Sequence, residues 1–318
     1  MKNQTESSQP YLVSVCIPSY NEPTLFKRCL DSILSQDYSH IEIVISDDSS
    51  TNDVKTIAAE VSAQIPIKYM SNNPALKSPR NWNNALDMAS GDLVLLMHHD
   101  DFFTFDSSVR SFVELFEKDS SVDIVFSTPM ACDDERKCIT YGYSSSSFLQ
   151  MMKQSHRLFV TNILGAPSNV MLKNNSIRYR EDLVWMVDME YYYRNIQAGL
   201  KSTYTSEPLV TTGIHQNQTT AFCNAHPDIA LREHILVGAS LSEDVFKDIV
   251  LFDHFWRQLR NNRIRSIHDS MLNGLTLPAP MRHMLRFLVV LPVRLTFIGI
   301  LSKSMMMLSY LMWRLRSK

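Results

Sequence analysis

The chain is predicted to be an α/β protein with a mostly parallel central sheet flanked by helices and a helical C-terminal extension. Three observations carry this expectation. Over residues 11–130, short β-branched and aliphatic runs alternate with segments of helical periodicity. The runs are apolar throughout, as suits strands covered on both faces. The intervening segments are about ten residues long, enough for right-handed crossovers between parallel strands.

In order, "YLVSVCI" (11–17) reads as a buried strand. "TLFKRCLDSILSQ" (24–36) follows Pro23 and sets Leu25, Phe26, Cys29, Leu30, Ile33 and Leu34 on one helical face. "IEIVI" (41–45) is the next strand, residues 53–63 a helix, and "IKYM" (67–70) a short strand. "NWNNALDMAS" (81–90) reads as a helix stopped by Gly91. "LVLLM" (93–97) is a strand, "SSVRSFVELFEK" (107–118) a helix and "VDIVFS" (122–127) a strand. Beyond Pro129 the pattern loosens. A hairpin or loop is expected over 130–145, a strand at 168–172, a helix near 187–198 and mostly helix after 225.

With 318 residues, 45% of them hydrophobic, the chain can bury a large core. Only eight glycines are present, and no Gly-rich phosphate loop is among the motifs. Five cysteines without a C-x-x-C pair argue against a disulfide scaffold or zinc ribbon and suit a reducing compartment. The opening "MKNQTESSQP" has no apolar segment of the kind a secretory signal requires, so a cytoplasmic setting is expected. Net charge is −2, but residues from 281 onward hold seven Lys/Arg and no Asp/Glu. The remainder is therefore acidic, at about −9, which excludes nucleic acid as its partner.

In an open parallel sheet, ligands bind where the strands end. Here the ends carry "PSYNE" (18–22), "SDDSS" (46–50) and "HHDD" (98–101). Asp100 and Asp101 repel one another near an apolar floor, and a divalent cation with oxygen ligands would offset that. Taken alone, either Asp pair reads equally as the N-cap of the next helix.

The combination is more specific. "VSVCIPSYNEPTLFKRCLDSILSQDYSHIEIVISDDSSTND" resembles the opening of family 2 glycosyltransferases of the GT-A fold, and "PRNWNNALDMASGDLVLLMHHDD" resembles the segment with their DxD-type metal motif. The likeness is strong over 11–130 and weaker over 160–220. It implies residues 1–224 as a catalytic domain, with 11–130 binding the nucleotide-sugar and 131–224 facing the acceptor, and 225–318 as a helical region. By position, it places Pro18, Tyr20 and Glu22 in the donor loop, with Tyr20 against the base. Asp48 would accept from the base, Arg80 would lie near the phosphates, and Asp100 near the sugar or ribose. Asp101 would ligate Mn²⁺ or Mg²⁺, with His215 as a further ligand. Family members often carry another acid two positions before Asp100, where this chain has His98. "WMVDMEYYYRN" (185–195) resembles the acidic motif whose Asp is the catalytic base, which implies Asp188, with Glu190 as the other candidate.

The resemblance thus implies an inverting, metal-dependent transfer from a nucleotide diphosphate donor, a UDP-sugar, to a glycan hydroxyl. Residues 281–318 combine an apolar arc of Phe297, Ile300, Leu301, Leu308, Leu311 and Leu315 with scattered cations, the pattern of a helix lying on anionic lipid. Lys303, in the middle of the segment, disfavours a spanning helix. Together these features lead to the expectation of an enzyme peripheral to the inner face of the cell membrane, extending a lipid-linked acceptor in bacterial surface polysaccharide synthesis. The alternatives are a sugar-nucleotide nucleotidyltransferase or an idle homologue acting as a binding partner; a homo-oligomer is compatible with any of these readings.

Overall fold

The computed structural model describes residues 9–133, 135, 137–214, 223, 226–272 and 274–316. Two compact units are present. The first comprises Met1–Met152, Ile163–Glu181 and Arg194–His215; the second comprises Lys153–Asn162, Asp182–Tyr193 and Gln216–Lys318.

In the first unit, β1 (Val13–Ser19), α1 (Pro23–Leu34), β2 (Ile41–Asp47), α2 (Asp53–Val61), β3 (Ile67–Ser71), α3 (Arg80–Met88) and β4 (Leu93–Leu96) alternate as the periodicity predicts. There follow β5 (Phe102–Phe103), α4 (Ser108–Lys118), β6 (Ile124–Ser127), β7 (Met130–Asp133), β8 (Cys138–Thr140), α5 (Ser145–Lys153) and β9 (Val170–Lys173). Helix α6 (Val187–Gln197), which belongs to the second unit as far as Tyr193, precedes β10 (Ser202–Thr205) and β11 (Val210–Ile214).

The central sheet has the order β10-β6-β9-β4-β1-β2-β3. Strand β1 lies between β4 and β2, parallel to both, and all seven of its residues are buried. Its outward-packed residues Val13, Val15 and Ile17 share a core with Phe26, Leu30 and Ile33 of α1 and Phe112 and Phe116 of α4. The apolar stripes of two helices thus cover the sheet, which is why the strands need no polar face. Gly91 sets the approach to β4. A Cβ there would lie 2.6 Å from Ser14 Oγ and 2.7 Å from the Leu12 carbonyl oxygen, so only glycine lets the chain pass this close to β1.

Strand β9 runs antiparallel to both β4 and β6. The reason is local. The turn Pro167–Asn169 places Ser168 at the end of β4, where its Oγ accepts from the His98 amide at 3.1 Å. A strand that starts where β4 stops has to run back along it.

A second, four-stranded sheet has the order β5-β11-β7-β8. The hairpin expected over 130–145 is β7–β8, and it holds a disulfide between Cys132 and Cys138. The reading against a disulfide scaffold stands beside this single local bond. The remaining three cysteines, 16, 29 and 223, are free and buried, so one local bond coexists with apolar thiols and no disulfide framework is built.

The second unit contains α7 (Pro227–Ser240), α8 (Ile249–Asn261), α9 (Ala279–Leu288), α10 (Val293–Thr296) and α11 (Gly299–Arg316). Leu251, Phe252, Phe255, Trp256 and Leu259 of α8 form its buried stripe. Asp248 caps α8 by accepting from the Val250 amide at 2.9 Å, and it also accepts from Arg157 Nε at 2.6 Å and meets His156 Nε2 at 2.9 Å. Burial pushes the Asp248 carboxyl up, but the hydrogen bonds from Arg157, His156 and Val250 outweigh that and hold it at about 2, against 3.8 when free. A depressed folded value means that this stabilisation is fully present above about pH 4 and is lost as pH falls through 2. Asp248→Asn is expected to lower stability at pH 7 by roughly 1–2 kcal/mol once solvent screening is allowed for. Urea melts should show the gap between wild type and variant closing towards pH 2.

Candidate functional site

Strands β1, β2 and β4 are adjacent and parallel, so their carboxyl ends share one edge of the first unit. The loops leaving them are tied together by hydrogen bonds. Asp48 donates its amide to the Ser19 carbonyl at 3.0 Å, and His99 Nδ1 lies 3.3 Å from the Pro18 carbonyl oxygen. Asn21, at a φ of 51°, donates its amide to Ser49 Oγ at 2.9 Å and accepts from the Ser50 amide at 2.8 Å. The aspartate loops predicted from separate parts of the sequence therefore meet at the end of β1.

Asp101 is the most constrained group there, with 1% of its surface exposed. Its Oδ2 accepts from Ser168 Oγ at 2.5 Å and its Oδ1 from the Gly213 amide at 3.2 Å. Burial, and then the neighbouring charge of Asp100, push the Asp101 carboxyl well above its usual range, despite those two bonds and the field of Arg28. Arg28 donates instead to the Asp100 carbonyl at 2.6 Å, and its guanidinium carbon stands 4.6 Å from the centre of the Phe102 ring.

The segment "HHDDFF" is gripped from the second sheet. Phe103 and Phe102 pair antiparallel with Val210 and Thr211. Two residues further along, a Cβ on Gly213 would lie 2.5 Å from the Asp100 carbonyl oxygen and 2.7 Å from Arg28 Nη2. Glycine is needed here so that β11 can bring a backbone N–H to a buried carboxylate.

His98, Asp100 and Asp101 each offer a ligand atom, and these atoms lie within 4.8 Å of one another. His98 Nδ1 is 3.8 Å from Asp101 Oδ2, and its Nε2 is buried with no hydrogen-bond partner among the described residues. Burial is the main cause holding His98 below its usual range, so its imidazole is neutral and keeps a lone pair. Trp82 packs against the ring at 4.7 Å between centroids. A buried carboxyl, a second carboxyl beside it and a neutral imidazole fit a divalent cation. The oxygens suit Mg²⁺ or Mn²⁺, and the nitrogen favours Mn²⁺ of the two.

The other expected donor residues differ in their surroundings. Tyr20 is exposed, as a surface for a planar base requires, and Glu22 stands before α1. Asp48 is buried and already accepts from Asn72 Nδ2 at 2.9 Å and from the Leu76 and Lys77 amides at 2.9 and 2.7 Å. It therefore shapes the 72–79 loop as well as the edge of the site. Arg80 opens α3 and pairs with Glu181 at 2.8 Å, with both side chains largely in solvent. His215 lies outside the described residues.

The second unit carries Asp188 in the first turn of α6. Asn162 Nδ2 donates to its Oδ2 at 2.8 Å and the Met189 amide to its Oδ1 at 2.8 Å. Burial nevertheless pushes its carboxyl up to about 6. The loop before it is held by a residue no sequence motif singles out. Glu233 of α7, 1% exposed, accepts from the Val184, Trp185 and Met186 amides at 2.6, 3.0 and 2.7 Å. A buried carboxylate facing three successive N–H groups fixes the entry to α6. Ser168, Gly213 and Glu233 are single ordinary residues far from the motifs they support, and only an acidic residue in an apolar helix hints at the last.

Residues 14–178, just over half of the chain, match the family model described as Glycosyl transferase family 2. A Campylobacter jejuni GalNAc(5)-diNAcBac-PP-undecaprenol beta-1,3-glucosyltransferase is 36% identical over 91 residues, covering 28% of this chain and 29% of that protein. TarS 1–349 of S. aureus, solved with UDP-GlcNAc, superposes with a TM-score of 0.59 at 16% identity, over 86% of this chain and 78% of that one. The mannosyltransferase PcManGT of Pyrobaculum calidifontis, solved with GDP-Man and Mn²⁺, gives 0.57 at 15% identity, over 96% and 86%. These two likenesses show the fold, which is the GT-A arrangement expected. The chain spans 61% and 29% of the length of two curated relatives that it matches.

Gly213→Ala is expected to push the Asp100 carbonyl off its present position. We expect a destabilisation of about 1–3 kcal/mol in thermal melts.

Proposed function

Because the chain belongs to glycosyltransferase family 2, we propose that it moves a sugar from a UDP-sugar to a hydroxyl of a lipid-linked glycan, inverting the anomeric centre, in bacterial surface polysaccharide synthesis. The observation that carries the reading is the His98–Asp100–Asp101 cluster at the shared end of β1, β2 and β4. The UDP-GlcNAc complex of a protein with the same fold supports the donor, and the Campylobacter protein, named for a PP-undecaprenol glycan, supports the acceptor.

Asp101 and His98, with Asp100, would hold Mn²⁺ or Mg²⁺, which when bound supplies Lewis-acid stabilisation of a departing diphosphate. The residues of the chain do the rest. Tyr20 offers its ring to the base, and Asp48 holds the loop around it while presenting the remaining lone pair of its Oδ2 to an imide N–H. Pro18 and Glu22 border the same pocket, and Arg80 turns from Glu181 to the donor phosphates. Asp188 takes the proton of the attacking hydroxyl. A carboxyl near 6 is a better base than an ordinary aspartate and is still ionised at neutral pH.

Two measurements test this. In thermal-shift titrations, UDP should stabilise the protein only with Mn²⁺ or Mg²⁺ present, and Asp101→Ala should abolish that shift. Stabilisation by UDP without a metal, or undiminished in the variant, would remove the metal from the reading. In transfer assays, kcat/KM should rise with pH and level off above about 6, as Asp188 ionises. Asp188→Asn should cut kcat roughly 10²–10⁴-fold with donor affinity unchanged; a variant of normal rate would assign the base elsewhere.

A further inference from the structure

Helix α11 has an apolar face on each side, and only one of them is buried. Its buried residues are Ser302, Met306, Ser309, Tyr310 and Trp313. At 3.6 residues per turn these share one face, and that face is fastened to the second unit by polar contacts. Trp256 Nε1 and Arg260 Nη1 donate to Ser302 Oγ at 3.3 and 3.1 Å. His283 Nε2 lies 2.9 Å from the Ser309 carbonyl oxygen, and the Tyr310 hydroxyl donates to the Lys247 carbonyl at 2.7 Å. The opposite face is aliphatic and faces solvent. Ile300 is 82% exposed and Leu315 71%, with Leu301, Leu308 and Leu311 between them on the same arc. In the preceding turns Val290 is 68% and Phe297 47% exposed.

A surface helix of a globular protein buries its apolar stripe and exposes a polar one, whereas α11 exposes a second apolar stripe. An apolar arc this long marks a surface that meets another phase. Its surroundings say which. Arg286, Arg294, Lys303, Arg314 and Arg316 are exposed around it, and no acidic residue occurs from 281 onward. Along α11, Lys303 and Arg314 fall together on one rim of the arc and Arg316 on the other. Cations at the rims of an aliphatic face match an anionic headgroup layer above an acyl interior. No described helix is long and apolar enough to cross a membrane.

We propose that residues 289–316 form a docking face for an anionic phospholipid bilayer. Helix α11 lies in the plane of the interface with Ile300, Leu308, Leu311 and Leu315 sunk among the acyl chains. The inference stands on the second unit alone and does not rest on the glycosyl-transfer reading.

The test is co-sedimentation of the full chain, without donor or acceptor, with vesicles of phosphatidylglycerol and phosphatidylcholine. Wild type is expected to pellet with mixed vesicles and to do so less in high salt. Leu308→Gln/Leu311→Gln/Leu315→Gln should weaken partition on the order of a hundredfold, with circular dichroism and melting temperature retained because all three side chains are exposed. Lys303→Gln/Arg314→Gln should weaken it about tenfold and remove most of the salt dependence. Failure of wild type to bind, or binding unchanged in the triple variant, overturns the proposal. So does a soluble oligomer that the triple variant converts to monomer, which would make a second copy the occupant of the face.

Discussion

The first unit is organised around one unfavourable group, the nearly inaccessible carboxylate of Asp101. A charge in that position requires partners that cannot drift. Two are supplied at fixed distances, the Ser168 hydroxyl and the Gly213 amide. Each is delivered by a different piece of chain. The turn before β9 brings Ser168, which explains an antiparallel strand in an otherwise parallel neighbourhood. Strand β11 brings Gly213, which explains a second sheet whose β5 is only two residues long. Arg28, whose charge is felt at Asp101, donates to the Asp100 carbonyl instead. What remains is negative potential beside a neutral imidazole, and that imbalance is what a bound cation would relieve.

Strand β1 converts this local arrangement into a site. Because it lies parallel between β2 and β4, the loops after all three leave from the same edge, and hydrogen bonds through Ser19, Pro18 and Asn21 hold them in register. Asp48 sits inside that network, its oxygens organising the loop that leads to α3. A residue assigned to a ligand by resemblance is thus also a piece of scaffolding, and removing it would alter the shape of the pocket as well as its chemistry.

The second unit places its polar groups by a similar logic. Glu233 gathers three amides ahead of α6, and Asp188 follows at the start of the helix with two hydrogen bonds and a raised proton affinity. Helix α11 applies the same principle in reverse. The Ser302 hydroxyl, the Ser309 carbonyl and the Tyr310 hydroxyl meet polar partners in the interior, beside buried Met306 and Trp313, and a second, aliphatic face is left for the outside.

The sequence by itself determined the alternation of strands and helices through residue 127, the identity of the loops that end β1, β2 and β4, and the apolar arc of the last helix. These are written in local periodicity and in adjacent residues, and local patterns survive without knowledge of the partner. Only the tertiary structure decided that β9 runs backwards, that Cys132 bonds to Cys138 across a hairpin, that Ser168, Gly213 and Glu233 support the acidic groups, and that the arc of α11 faces outward. Each of those depends on a contact between residues far apart in the chain or on which of two faces finds a partner. A single serine, glycine or glutamate carries no mark of the carboxylate or amide it will meet.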